Sequence, residues 1–525
     1  MPKSAPTARS DATTTAAECR HLVRNIAMPG RLRSNEIAQT LLKRAPANKE
    51  ASDSLKAAVN QALDRLSLRD RHIIERCDLN REIHAIVAAE LGISERHLYR
   101  ERQRIFERLS TLLLALPSER SIRFVESIDS TEQLVKTSRA LEENGACGVA
   151  ADVLERRALE SPDALERTRL FLRLAELHAR TGFSTRADEC VEIALRHAAH
   201  ATYRSPVVDA ELALTRAQIL EDEGQGEPLV VELSERSVAL IRSANSSHYD
   251  QTAAGVLVRA LALRAQAATF IGDFEAALRA VAEMRTALPA LHQGDADSRM
   301  AALFAQFVSK ALCESDLDAS ADCLGEAMQI AQDAGLSVSS ILLAVNLAAL
   351  YRLGRDAGHA IAILTPRLSV ARVLGNRRVL AMLLIELASG HVDLRDYARA
   401  REALDEAVEL VHGNRSLEAP FLRASARTSI GVRQFGDALE ASRAAKSAYA
   451  SLGKSRLVGT SLRLEAEALL GTGDRRAALA TIRAAIEALS SGSHRSALAG
   501  AYKVLGRISG NARYHDTALR LNKPP

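Results

Sequence analysis

The sequence predicts an all-α protein, and three observations predict it. Aromatic residues make up only 3% of the chain and tryptophan is absent, while 47% of the residues are hydrophobic. A core of that composition is built from Ala and Leu at close helix contacts, not from the β-branched and aromatic residues that sheets favour. The 13 prolines rarely interrupt the periodic stretches. From Ser130 onward, small residues recur at a regular spacing, the mark of a helical repeat array. At 525 residues the chain is long enough for several units or one extended array.

Taken in order, the opening stretch MPKSAPTARSDATTTAAE is polar, and residues 1–19 read as a disordered arm. Residues 20–116 read as short helices. One pair breaks at Met28-Pro29-Gly30, and Pro46 and Asn48 mark a loop. Leu55, Ala58, Val59, Ala62, Leu63 and Leu66 stand at helical spacing, and Ser67 with Asp70 forms a cap pair for a helix that carries Ile73, Ile74 and Cys77. Charge is uneven. The net charge is +4, but residues 1–126 hold 22 Lys and Arg against 16 Asp and Glu, and the remainder holds 47 against 49. A polyanionic partner is therefore expected at the N-terminal quarter.

The segment EIHAIVAAELGISERHLYRERQRIFERL, residues 82–109, contains a helix-turn-helix pattern. Ala88 is small enough for two helices to cross closely, and Gly92 allows the tight turn Leu91-Gly92-Ile93. The Ser94 hydroxyl caps the helix that follows, and Ile93 and Leu98 fill the angle between the helices. This stretch resembles the helix-turn-helix of region 4 of bacterial sigma factors and of LuxR-type response regulators, with Leu98, Ile105 and Leu109 in the apolar places. It departs at Ile105-Phe106, where Ala-Leu is frequent, and at the bulky Ile86-Val87-Ala88. A sigma factor proper would need a promoter-melting region rich in exposed aromatics, which this chain lacks. The resemblance implies a DNA-binding domain.

A helical wheel sorts the arginines of the second helix. Leu98, Ile105, Leu109 and Leu112 share the core face. Ser94, Glu95, Arg96, Tyr99, Arg100 and Gln103 lie at or near the N-terminal half, from which such a helix reads base edges. Arg104 and Arg108, with Arg69, Arg71 and Arg81 nearby, are placed for phosphates. Arg102 leans towards the core and is expected to pair with an acid such as Glu101 or Asp78. The competing reading of each arginine is a solvated surface residue.

After a linker at 117–130, residues 131–520 repeat. Ala277, Ala319, Ala360, Ala400, Ala438, Ala478 and Ala518 follow one another at spacings of 42, 41, 40, 38, 40 and 40. Twelve residues before them stand Ala265, Phe307, Ala348, Ala388, Ala426, Ala466 and Gly506. Seven after the first six stand Met284, Glu326, Arg367, Ala407, Ala445 and Ala485. Ala175, Ala187 and Ala194 form an earlier copy. The recurrence resembles the tetratricopeptide repeat at a longer period, and HEAT-like repeats are the alternative fold. Eight to ten hairpins are expected to stack as a tetratricopeptide-like α-solenoid. Residues 201–247, with the acidic EDEGQGEP, fit this register poorly. Arg259, Tyr351, Arg352, Glu386, Arg423 and Arg427 are expected on the inner surface, the competing reading being ordinary polar positions of amphipathic helices.

Several chemistries are excluded. The six cysteines form no C-x-x-C pair and read as reduced core residues. Gly453-Lys454-Ser455 lacks the leading glycine and preceding strand of a P-loop. No stretch approaches the ~20 apolar residues of a membrane span, so a soluble cytoplasmic protein is expected. No enzyme, cofactor or metal is expected. The reading is a sequence-specific transcription regulator that binds double-stranded DNA. Its repeat domain senses a protein, peptide or small-molecule effector or assembles a homodimer. The alternative is a scaffold that binds protein, RNA polymerase among the options, and no DNA.

Overall fold

Among the described residues every regular element is helical. The structure, a computed structural model, describes residues 8–26, 28–44, 50–63, 66, 68–114, 128, 130–201, 205–224, 227–244, 251–292, 294–354, 356–412, 414–490 and 495–521. The chain divides into two compact units: Met1–Val153 with Ser369–Asn376, and Leu154–Leu368 with Arg377–Pro525.

In the first unit α1 (Ala8–Arg24), α2 (Glu36–Arg44), α3 (Ala51–Leu63), α4 (Leu68–Ile74), α5 (His84–Glu90) and α6 (Glu95–Leu114) enclose one apolar core. A π turn, Glu75–Leu79, continues α4. Leu22, Ile37, Leu55, Ile73, Leu98 and Phe106 are fully buried in that core. Residues 8–19 of the expected disordered arm are helical, since α1 begins at Ala8; residues 1–7 lie outside the described residues. Thr13, Thr14 and Thr15 give the segment a polar look, but Ala16, Cys19, Leu22 and Val23 recur at helical spacing and are all buried. Ser67 and most of the 117–130 linker lie outside the described residues. The helices α7 (Thr131–Glu143) and α8 (Cys147–Glu160) come next.

The second unit holds nine successive helix pairs among the described residues. They are α9 (Ala164–Thr181) with α10 (Ser184–Ala199), α11 (Pro206–Asp222) with α12 (Glu227–Ser243), α13 (Gln251–Ile271) with α14 (Phe274–Ala287), α15 (Ala296–Ser309) with α16 (Leu317–Asp333), and α17 (Ser337–Leu353) with α18 (Ala357–Leu374). The series ends with α19 (Arg377–Asp393) and α20 (Tyr397–Val411), α21 (Arg415–Gly431) and α22 (Phe435–Ser451), α23 (Ser455–Gly471) and α24 (Arg475–Ser490), and α25 (Arg495–Ser509) and α26 (Ala512–Leu521). This is a tetratricopeptide-like helical repeat. Asp273, Asp316 and Asp396 cap the second helix of their pairs by accepting backbone N–H groups.

The alanine register holds where helices touch. Ala187, Ala277, Ala360, Ala400, Ala438, Ala478 and Ala518 are buried, as are Ala175, Ala265, Ala348, Ala388, Ala426 and Ala466. One copy slips. Ala319 and Phe307 are only partly buried and Glu326 is exposed, whereas Ser320, Val308 and Ala327 are buried in their places. Val308, Ser320 and Ala327 keep the spacings of twelve and seven, so the extra residue lies before Val308 and not at the π turn Lys310–Glu314 that follows it. Among the described residues of 201–247 the chain is also regular, as α11 and α12. Serines stand where alanine was sought: Ser234 Oγ donates to Val230 O at 2.7 Å and Ser237 Oγ to Ala210 O at 2.9 Å, so small hydroxyls fit the same contact fully bonded.

Two further sequence expectations meet the structure here. Helix α13 is long and apolar enough to cross a membrane by length and composition, contrary to the expectation, but 78% of its apolar window is buried inside the protein. Gly453-Lys454-Ser455 forms the turn between α22 and α23, with Gly453 at φ +71°. Lys454 pairs with Glu227, and its ammonium sits 5.3 Å from the Phe270 ring centroid. The acidic turn after α11 also binds Arg378, whose Nη2 lies 2.7 Å from Asp222 Oδ1. Burial and the neighbouring Asp222 push the Glu221 carboxyl up to about 7.

Candidate nucleic-acid interface

Helix α6, the second helix of the expected helix-turn-helix, is positioned by the turn that precedes it. Gly92 sits at φ +67°, where a side chain would be strained. Ile93 N–H donates to Ala88 O at 3.0 Å, and His97 N–H donates to Ser94 Oγ at 3.2 Å, the expected cap. Val87, Ala88 and Leu98 are buried where α5 meets α6. Leu98, Ile105 and Leu109 line the core as expected, joined by Phe106 and Leu113; the Leu112 side chain lies outside the described residues.

That geometry divides the arginines of α6. Arg102 is 2% exposed, and its guanidinium grips buried Asp78, with Nη2 2.6 Å from Oδ1 and Nε 3.1 Å from Oδ2. Asp78 comes from the π turn after α4 and also accepts from Arg24 Nε at 2.8 Å. Two guanidiniums on one buried carboxylate thus pin α1 and α6 to the end of α4. Arg96, Arg100 and Arg104 do the opposite. They are exposed, they lie at i, i+4 and i+8, and none has an ion-pair partner among the described residues. Glu95 and Ser94 are exposed at the helix start.

The remaining predicted residues are partly engaged. Tyr99 is 51% exposed, but its hydroxyl lies 2.8 Å from His84 Nδ1, and the Arg102 Cζ is 5.8 Å from its ring centroid. Burial, then the Arg102 charge, lowers the His84 pKa, which favours the neutral ring. Gln103 is partly buried and its Oε1 accepts from Arg20 Nη2 at 2.8 Å. Arg71 bonds Glu75 at 2.7 Å. Arg81, at φ +56°, is exposed and donates to Arg24 O at 3.0 Å. The side chains of Arg69 and Arg108 lie outside the described residues. Sequence reasoning missed Arg20 and Arg24. The only local signal was two arginines one turn apart beside Cys19, Leu22 and Val23.

Three of the residues expected on the inner surface of the repeats, Arg352, Glu386 and Arg427, form a network through Asp393. Arg352 bonds Glu386 and Asp393, each at 2.6 Å, and Arg427 bonds the other oxygen of Asp393. Burial raises the Glu386 pKa although Arg352 pulls it down. Burial also opposes ionisation of Asp393, but Arg427 and Arg352 overcome it and hold its pKa low. The Arg423 Cζ lies 5.9 Å from the ring centroid of buried Tyr449, Tyr351 stacks on His359 with centroids 5.4 Å apart, and Arg259 is partly buried.

No protein-family model matches the chain, and no curated protein matches it in sequence. Solved structures do resemble it. One is a Rap protein complexed with competence and sporulation factor, with 12% identity, 67% of this chain and 99% of that chain covered, and a TM-score of 0.44. Another is a signal transduction ATPase with numerous domains and a tetratricopeptide repeat sensor from Pyrococcus horikoshii, with 11% identity, 93% and 74% covered, and a TM-score of 0.44. A third is aspartyl phosphate phosphatase F from Bacillus subtilis, with 10% identity, 85% and 96% covered, and a TM-score of 0.38.

Proposed function

We propose that the chain is a sequence-specific DNA-binding regulator whose repeat unit receives a protein or peptide partner. The observation that carries the reading is the stripe Arg96, Arg100 and Arg104: three exposed cations on α6, the second helix of the expected helix-turn-helix, with no ion-pair partner among the described residues. Such a stripe presents a local positive field to a phosphate backbone. Arg96 and Arg100, near the helix N-terminus, take base edges in the major groove, and Arg104 takes phosphate, with Arg108 one turn on. The resemblance of residues 82–109 to sigma region 4 and LuxR-type helices supports this assignment. The experiment is selection from a random duplex pool with the full chain. Enrichment of one motif is expected; a pool that stays random contradicts DNA reading.

A second reading, a repeat scaffold that binds protein and no DNA, is favoured by one observation. Tyr99 and Gln103, two polar groups suited to base contacts, are bonded to His84 and Arg20 within the same unit. Under that reading the exposed arginines meet an acidic protein surface, and no duplex is enriched.

A further inference from the structure

The last three hairpins repeat a cation at one register. Arg423, Arg463 and Lys503 each stand three residues before the small residue of their helix, Ala426, Ala466 and Gly506, and so recur every 40 residues. Their helices, α21, α23 and α25, are consecutive first helices and pack side by side. Residues at one register therefore line up across them. Lys503 is exposed and Arg423 is partly buried beside Tyr449, and neither has an ion pair among the described residues. Arg456, at the start of α23, has none either. Burial and the charge of Arg423 both lower its pKa, so two guanidiniums share the Tyr449 site. The nearest acids are committed: Glu386 to Arg352, and Glu467 to Arg463 at 2.6 Å and Arg507 at 3.3 Å. Between α23, α25 and α26 lies an open cleft of about 470 Å³ lined by Arg463, Glu467, Lys503, Arg507 and His515.

Arg423 and Arg456 are partly buried like charges with no ion pair among the described residues, which costs stability. Exposed Lys503 and the Glu467-paired Arg463 extend the positive strip, so it is built for a counter-charge from outside the chain. We infer that α21, α23 and α25 form a docking strip for an extended acidic peptide segment, whose side-chain carboxylates meet Arg423 with Arg456, then Arg463, then Lys503. The inference rests on the partner-binding reading of the repeat unit and specifies the partner's chemistry. Packed helices lie about 8–10 Å apart, and an extended chain rises about 3.3 Å per residue, so acids at every third position match the strip. Charge complementarity also excludes basic segments from it.

The test uses the full chain and fluorescein-labelled peptides of Gly-Ser-Glu, Gly-Ser-Gln and Gly-Ser-Lys repeats, read by anisotropy across salt. The Glu peptide should bind, weaken with salt, and exceed the Gln and Lys peptides. Arg423→Gln and Lys503→Glu should each weaken it about threefold to tenfold, as for partly exposed charge pairs, with helicity unchanged by circular dichroism. Lys503 is exposed, so that variant separates lost binding from lost folding. Arg100→Ala, in the other unit, should leave peptide binding as it was. The inference is overturned if the two repeat variants bind like the parent, or if Arg100→Ala removes the binding. Preference for the Gln or Lys peptide overturns the acidic strip while leaving a peptide-binding repeat unit in place; no binding by any peptide removes both.

Discussion

Helix α6 and the repeat helices α17 to α21 are both rich in arginine, and they place it in opposite ways. On α6, Arg96, Arg100 and Arg104 are exposed and have no ion-pair partner among the described residues, while the inward Arg102 holds Asp78. Across α17, α19 and α21, Arg352 and Arg427 are both spoken for, bridged by Glu386 and Asp393 from the helix between them. The difference teaches that arginine content says little about a polyanion partner. What matters is whether a carboxylate arrives from a neighbouring helix, and in a repeat stack the next helix is always close enough to supply one. Where it does not, as at Arg423 and Lys503 or at Arg96, Arg100 and Arg104, the positive charge has no ion-pair partner among the described residues.

The comparison breaks most readily at Asp78. Asp78→Ala leaves Arg102 buried without its carboxylate and frees Arg24, and should destabilise the first unit by about 3–5 kcal/mol. Hydrogen exchange should show lost protection in residues 68–114. Adding Arg102→Met should recover part of the loss, because the uncompensated charge is then gone. If Asp78→Ala exchanges like the parent, the inward arginine does not organise the domain.

A smaller effect sharpens the repeat side. Ala400 is fully buried between helices, so Ala400→Leu should cost about 1–3 kcal/mol through overpacking. Ala319→Leu should change stability by about 0.5 kcal/mol or less, because Ser320 occupies the contact in that copy. Equal melting shifts for the two variants would show that the register of this copy does not slip.

The smallest effect concerns the acidic turn. Glu221 has a folded pKa raised to about 7 from an ordinary 4.5, so the folded state holds its proton more tightly. Its contribution is therefore full below pH 4.5 and is lost as pH rises towards 7. Glu221→Gln, which mimics the protonated group, should match the parent near pH 5 and be more stable at pH 8 by about 1 kcal/mol, discounted because the side chain is only partly buried. A gap of the same size at both pH values would contradict the assignment.

Local features of the sequence foretold the turn at Gly92, the Ser94 cap, the inward Arg102 and the alanine contacts, since each depends on residues within a few positions. Other features depended on partners far along the chain. Arg20 meets Gln103 and Arg24 meets Asp78, 83 and 54 residues away, and no periodicity within α1 points to them. Ser234 and Ser237 escaped a search for alanine because a serine bonded to a helix carbonyl fits the same space. The one-residue slip before Val308 has no sequence mark of its own; only the burial of Val308 and Ser320 in place of Phe307 and Ala319 shows it.

The central claim is that the outward arginines of α6 read DNA. A titration of the full chain and its Arg100→Ala and Arg104→Ala variants against selected and scrambled duplexes, across salt, tests it most directly. Arg100→Ala should cost about 1–3 kcal/mol on the selected site and relax preference at one base position. Arg104→Ala should weaken both duplexes alike and lower the salt slope by about one. If the parent binds neither duplex, or both variants keep its affinity and slope, the arginine stripe does not read DNA and the scaffold reading replaces it.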